Sequence, residues 1–201
     1  MAEVNKIIFA TENIGKIREI REIIENPEIR VLTMEEAGIR VDIAENGSTF
    51  TENARIKVSA VGPQPGAYVL GDDSGLEIDY LNGEPGIYSA RYLGRETPYS
   101  EKNRIILERM EQVPEKERSA RFVCAIAAML PDGSVIDTLG VMEGQIGHEI
   151  KGEHGFGYDP IFYLPERGCT SAELLPDEKN AISHRGKALR AMLARLGLID
   201  S

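Results

Sequence analysis

Positive charge is in deficit in this chain. Its 201 residues carry 23 lysines and arginines against 33 aspartates and glutamates, a formal net charge of −10. That deficit argues against non-specific binding of DNA or RNA, which relies on a basic surface. It leaves room for a small phosphate ligand, which a few placed cations and a metal bridging to carboxylates can hold. Cysteine is rarer still: Cys124 and Cys169 are the only two, with no Cys-x-x-Cys spacing. A disulfide framework and a thiolate zinc site are thereby disfavoured, and both thiols read as packed or incidental. No stretch approaches the roughly 20 apolar residues of a membrane span. Residues 1–10 also lack the basic segment and long apolar run of a signal peptide. A cytoplasmic protein with neither nucleic-acid nor membrane partners is expected.

What is present is an ordinary globular composition, 42% hydrophobic and 28% charged, long enough to bury a sizeable core in one domain or two lobes. Residues 6–10 read as a strand. The segment 16–24 then sets Ile17, Ile20, Ile23 and Ile24 on one helical face, with turn and cap residues in between. Strands are expected at 29–32 and, more weakly, at 41–43. Thr49 to Glu52 fits a capping box that opens a helix through Val61. An apolar strand at 68–70 runs into Gly71-Asp72-Asp73-Ser74-Gly75 and resumes at 76–81, before a tight turn at Asn82-Gly83. A helix over 99–110, an antiparallel hairpin of 122–130 with 135–142 about Pro131-Asp132-Gly133-Ser134, and a terminal helix over 185–196 complete the pattern. With no internal repeat or long linker, one α/β domain spanning 1–201 with a mixed sheet follows, and no composition shift marks a boundary between lobes.

Four segments could carry chemistry. Thr11-Glu12-Asn13-Ile14-Gly15-Lys16 places a helix N-terminus after a strand, where unpaired amides and the positive dipole end attract phosphate. The alternative is plain capping by Asn13 beside a surface lysine. Asp72 and Asp73 close an apolar strand, a costly place for two acids unless they are paired or metal-bound. Hard oxygen ligands suit Mg²⁺, and such a carboxylate could also orient an attacking water; solvated acids in an Asx-turn are the alternative. Glu45, in the polar turn 44–48, could add a ligand. In 155–160 the glycines allow close approach and Phe156 or Tyr158 could stack on a base, unless they are simply a core aromatic loop. Lys179 and Ser183-His184-Arg185-Gly186-Lys187 could bind an oxygen-rich base or phosphate, or form a solvated basic face. His148 and His154 lack metal-like spacing.

Taken in order, Phe9 to Lys16, Thr49 to Ala54, Asp72 to Leu76, Pro85 to Tyr92, Gly155 to Pro160 and Ile182 to Arg185 resemble the inosine triphosphate pyrophosphatase family, the XTP/dITP diphosphatases. The resemblance covers nearly the whole chain; His154 stands where glycine is common in that family. It implies an elongated mixed β-sheet flanked by helices, two lobes around a nucleotide-binding cleft, and a homodimer. The implied activity is Mg²⁺-dependent hydrolysis of ITP, dITP and XTP to the monophosphate and pyrophosphate. In the implied roles Thr11, Glu12, Asn13, Ile14, Gly15, Lys16 and Lys57 hold the triphosphate. Asp73 is the catalytic carboxylate and, with Glu45, a metal ligand; Ser74 touches substrate. Phe156, Gly157, Tyr158, Asp159, Lys179, His184 and Arg185 form the nucleotide pocket. Competing readings are another metal-dependent nucleotide phosphatase, acting for example on pyrimidine triphosphates, or a nucleotide sensor without catalysis.

Overall fold

The computed structural model describes residues 6–24 and 26–200. Its seven strands form one mixed sheet in the order β2-β1-β3-β4-β5-β6-β7, and the chain divides into two compact units.

Among the described residues the first unit comprises 6–24, 26–73, 124–140 and 184–200. Strand β1 (Lys6–Phe9) lies parallel to β2 (Arg30–Thr33) on one side and to β3 (Tyr68–Ile78) on the other. Buried on both faces, it reads as the uninterrupted apolar run Ile7-Ile8-Phe9. Helix α1 (Ile14–Ile23) is started by the Asn13 side chain, which accepts a bond from the Lys16 amide at 3.1 Å. Its Ile17 and Ile20 pack with Ile7, Phe9, Leu70 and Ile126, and with Leu189 and Met192 of α5 (His184–Arg195). Helix α2 (Phe50–Val61) starts at Thr49, whose hydroxyl accepts from the Glu52 amide, while the Glu52 carboxylate turns back to Ser48. Cys124 of β4 (Ser119–Met129) sits fully buried in this core, and burial pushes its thiol up to about 12.

The second unit comprises residues 74–123 and 141–183. Leu76, Ile78, Phe122, Ile161 and Phe162 form its core with Ile106 of α3 (Tyr99–Arg109). The Phe122 and Phe162 rings pack 4.4 Å apart. Arg118 is buried there on backbone alone, donating to the carbonyls of Met110, Val113, Ile146 and Gly147. Strand β5 (Val135–Ile146) leads to the short antiparallel strands β6 (Phe162–Leu164) and β7 (Cys169–Thr170), and then to α4 (Pro176–Ile182). The β4–β5 connection is too short for anything but an antiparallel hairpin. It is closed by Leu130 N donating to Ser134 O, with Asp132 accepting from Ser134.

The structure departs from the sequence expectations in three places. Residues 41–43 form no strand; Val41 and Ile43 are half-buried at best, too little apolar surface to hold an added edge. Residues 71–75 do not end a strand but run through the middle of the eleven-residue β3. The strand then stops at Ile78, and 79–81 form a single 3₁₀ turn.

Gly71 explains how β3 meets α2. A Cβ at 71 would lie 2.9 Å from Lys57 Cβ and 3.0 Å from the Ala54 carbonyl oxygen, inside van der Waals contact with atoms that cannot swing away. Gly71→Ala should therefore force helix and strand apart, at an overpacking cost of about 2 kcal/mol. The expected outcome is a thermal midpoint lowered by about 5 °C, read by calorimetry; an unchanged midpoint would show that the helix yields freely.

Candidate active site

In the first unit β1 ends in a loop rather than continuing its ladder. Asn13 N donates to the Thr11 hydroxyl at 3.2 Å, and the Asn13 cap leaves the opening amides of α1, at Ile14 and Gly15, without intrahelical acceptors. No acid occupies the first turn of α1 to offset its positive end from within the helix. Glu12, Asn13 and Ile14 are exposed. Lys16 turns inward, and its ammonium lies 2.9 Å from Oδ2 of Asp72.

Asp72 is fully buried in β3. Burial alone would raise its pKa, but the charges of Lys16, Arg185 and Lys57 more than offset this and hold the carboxyl well below the usual range. Arg185 Nη2 approaches Asp72 Oδ2 at 3.5 Å, and its Nη1 pairs with Glu19 of α1. Lys57, on the inward face of α2, donates to the Asp72 carbonyl at 2.8 Å. Its ammonium also stands 3.6 Å from Asp73 Oδ1 and 3.2 Å from Glu45 Oε2. Burial would lower the Lys57 pKa, yet Asp72, Asp73 and Glu45 together raise it.

Asp73 has the opposite character from its neighbour. Burial raises its carboxyl above the ordinary value, aided by Glu45 and only partly countered by Lys57, Lys16 and the Asn53 amide. Asn53 donates to Asp73 Oδ2 at 3.0 Å and accepts from Gly47 N at 2.8 Å, which ties the turn carrying Glu45 to the same place. Glu45 and Asp73 thus converge on one ammonium. Two carboxylates facing one cation are the number that Mg²⁺ takes from protein when waters and phosphate oxygens complete its shell, so the residues present fit such an ion. Among the described residues no group of three or more His, Cys, Asp or Glu side chains is gathered, as a fully protein-made cage would need. Also among them, no helix is long and apolar enough to cross a membrane.

The second unit holds the other expected residues. Gly155 has φ +73°, and a Cβ there would run into the Asp159 carboxylate. That carboxylate accepts from Phe156 N at 2.8 Å, from Lys179 Nζ at 2.6 Å and from the Ser171 hydroxyl, which fixes the loop. The Lys179 ammonium lies 5.4 Å from the centre of the half-buried Phe156 ring. Of the two candidate stacking rings, Tyr158 is taken into the core, edge-on to Tyr99 with its hydroxyl donating to the Ser89 carbonyl. Ser74 is half-buried in β3.

The structure therefore brings Lys16, Lys57, Glu45, Asp72, Asp73 and Arg185 together in the first unit, and Phe156, Gly157, Asp159 and Lys179 in the second. His184, buried at the start of α5, belongs to the first unit, its carbonyl lying where only a glycine at 140 leaves room. Arg185, 2% exposed, directs its fork at Glu19 and Asp72. Asn53, Glu19 and Ser171 escaped the sequence reading. A signal existed for the first two, since each puts a polar group on the inward face of a helix, Asn53 one turn before Lys57 and Glu19 between Ile17 and Ile20.

A site of this make-up, with cations and a helix start for phosphate and paired carboxylates beside them, invites comparison with known proteins. Residues 7–195 match the model of the Ham1 family. The chain is 46% identical over 195 residues to the dITP/XTP pyrophosphatase of Vibrio parahaemolyticus, covering 96% of this chain and 97% of that one. It is 47% identical over 188 residues to the dITP/XTP pyrophosphatase of Thermus thermophilus, covering 94% and 90%. A solved structure of a HAM1 protein from Coxiella burnetii superposes with a TM-score of 0.84 at 43% identity, covering 96% of this chain and 99% of that one. The motifs, the fold and these end-to-end matches agree: the chain belongs to the Ham1 family.

Proposed function

We propose that the protein hydrolyses deaminated purine nucleoside triphosphates (ITP, dITP and XTP) to the nucleoside monophosphate and pyrophosphate. The observation that carries this reading is the meeting of Lys16, Lys57 and the Asp72-Asp73 pair in one buried cluster beside a helix N-terminus. Relatives matched over nearly their whole length that bear the name dITP/XTP pyrophosphatase support it.

The amides at the start of α1, Thr11, Asn13, Lys16 and Lys57 bind and orient the triphosphate, so that a water lies in line with the α-phosphorus. Asp73, held by Asn53 and made more basic by burial, takes the proton of that water as its oxygen bonds to the α-phosphorus. The bond from the α-phosphorus to the bridging oxygen breaks, and pyrophosphate departs against the cations of Lys16 and the loop. Asp73 and Glu45 would hold Mg²⁺, which supplies neutralisation of the charge on the phosphate oxygens. Ser74 contacts the substrate. Base recognition falls to Phe156, with Asp159 and Lys179 held in their fixed loop, and to His184. Donors facing C6 donate to the oxygen of hypoxanthine or xanthine and leave the amino group of adenine unpaired, a discrimination that buried polar groups make strong. The protein works in the cytoplasm on free nucleotides.

Release of pyrophosphate, assayed apart from orthophosphate, from ITP, XTP, GTP, ATP and a pyrimidine triphosphate is the test of substrate. Turnover of ITP and XTP should exceed that of ATP by at least about a hundredfold and vanish with chelator. A preference for the pyrimidine, or ITP bound without product, would replace this reading with one of its rivals.

Asp73→Asn should lower kcat by about 10² to 10⁴ while the fold is kept. The sign of the pH dependence follows from burial. Asp73 must be ionised to accept a proton, and its pKa lies above the ordinary carboxylate value. Burial sets this limb above the ordinary carboxylate value in the metal-free protein, and Mg²⁺ held by Asp73 would draw it down. Raising Mg²⁺ should therefore move the acid limb of kcat/KM to lower pH, and the residual activity of Asp73→Asn should lack that limb. Near-normal turnover in the variant would remove Asp73 from its role.

A homodimer is part of the same proposal. The exposed Tyr80, Tyr88 and Leu93 of the second unit are large apolar groups of the kind that pairing covers. Sedimentation should give twice the 22.2 kDa of one chain; a single-chain mass at micromolar concentration would contradict it.

A further inference from the structure

Glu19 has no part in the scheme above, yet it is an acid only 5% exposed on helix α1, flanked in sequence by the buried Ile17 and Ile20. A carboxylate in such surroundings persists only against a charged partner. That partner is Arg185, 166 positions away in sequence and itself 2% exposed. Arg185 gives Nη1 to Glu19 and turns Nη2 toward Oδ2 of Asp72 at 3.5 Å. The same Oδ2 holds the Lys16 ammonium at 2.9 Å. Four charges, Glu19, Arg185, Asp72 and Lys16, therefore follow one another in alternating sign, and the last of them is the lysine of the phosphate loop.

We infer that Glu19 is a positioning residue for Lys16, acting through Arg185 and Asp72; the inference rests on the reading of Lys16 as a phosphate-binding group. Two cations compete for one oxygen of Asp72. Glu19 keeps the guanidinium fork divided, one arm to each acid. Once the charge of Glu19 is removed, both arms are drawn to Asp72, because bidentate pairing is the geometry that guanidinium and carboxylate favour. Lys16 then loses its acceptor and meets a like charge in its place. Its flexible stem lets the ammonium move away from where the phosphates are held.

The experiment is a double-mutant cycle of Glu19→Gln and Lys16→Ala, read in two ways: binding of inorganic pyrophosphate with Mg²⁺ by calorimetry, and kcat and KM for ITP. Glu19→Gln should weaken pyrophosphate binding and raise KM by about tenfold, the scale of one charge-assisted hydrogen bond, with kcat changed by less than about twofold. In the Lys16→Ala background the same change should add almost nothing, since the group through which Glu19 acts is gone. Glu19→Asp, which keeps the charge, should restore most of the binding. A purely structural role would give equal losses in both backgrounds; that outcome, or wild-type binding in Glu19→Gln, overturns the inference. If the wild type fails to hydrolyse ITP, the functional reading falls and the pyrophosphate cycle still decides the role of Glu19. Should Glu19→Gln not fold, the charge-neutral pair Glu19→Gln/Arg185→Gln, in which no guanidinium is left to compete for Asp72, should bind pyrophosphate as the wild type does; a loss of about tenfold in that variant overturns the inference.

Discussion

One buried anion organises the first unit. Asp72 lies at the centre of β3 with no exposed surface, accepts Lys16 and faces Arg185 through one oxygen, and offers its carbonyl to Lys57. Without its carboxylate Lys16 would lose its counter-ion and Arg185 one of two, and an ion left unpaired out of water costs several kcal/mol. The cluster as built sets Lys16, Lys57 and Arg185 against Glu19, Glu45, Asp72 and Asp73, so each buried charge has an opposite neighbour. A strand bonded on both sides is also the stiffest place from which to aim such groups. Successive residues of a strand point to opposite faces, and this gives the two aspartates different fates. One is drowned in positive charge and stays ionised; the other is left in a poorer environment that makes it a better base. Neighbouring carboxyls driven apart in this manner are how a fold divides electrostatic from proton-transfer work.

Much of this was legible in the amino-acid order, and the failures have identifiable causes. The strand–loop–helix at residues 6–24 is written in local signals: an apolar run, an Asn cap, isoleucines at helical spacing. The two-residue shift of its helix start, from 16 to 14, is the usual uncertainty at a cap. Residues 71–75 misled because a Gly-Asp-Asp-Ser-Gly run has the composition of a turn. Nothing local discloses that Lys16, Lys57 and Arg185, up to 113 positions away, neutralise it and let the ladder pass through. Arg185 reads as a group for an oxygen-rich base or phosphate, or as part of a solvated basic face; its pairing with Glu19 has no local signal, because Glu19 sits in another helix. Residues 41–43 failed for want of a partner edge, a property that β-propensity does not encode.

The second unit achieves rigidity by different means. Its loop at 155–159 is clamped by one carboxylate with three donors around it, and Gly155 is required because any side chain there would occupy the position of Asp159. Arg118 adds a buried cation satisfied by four carbonyls in place of an acid, which joins the end of α3 to the end of β5 through backbone alone. The first unit thus spends carboxylates on placing cations, while the second uses polar networks to hold a ring and an ammonium still.

The two thiols acquire a use from where they lie. Cys124 belongs to the first unit and Cys169 to the second. Cys124 is sealed in β4 and kept protonated, so the reactive thiolate forms there only when that core opens. Cys169, half-covered in the two-residue strand β7, meets solvent far more readily. The native molecule therefore carries a slow and a fast labelling clock, one in each half, without any engineered probe.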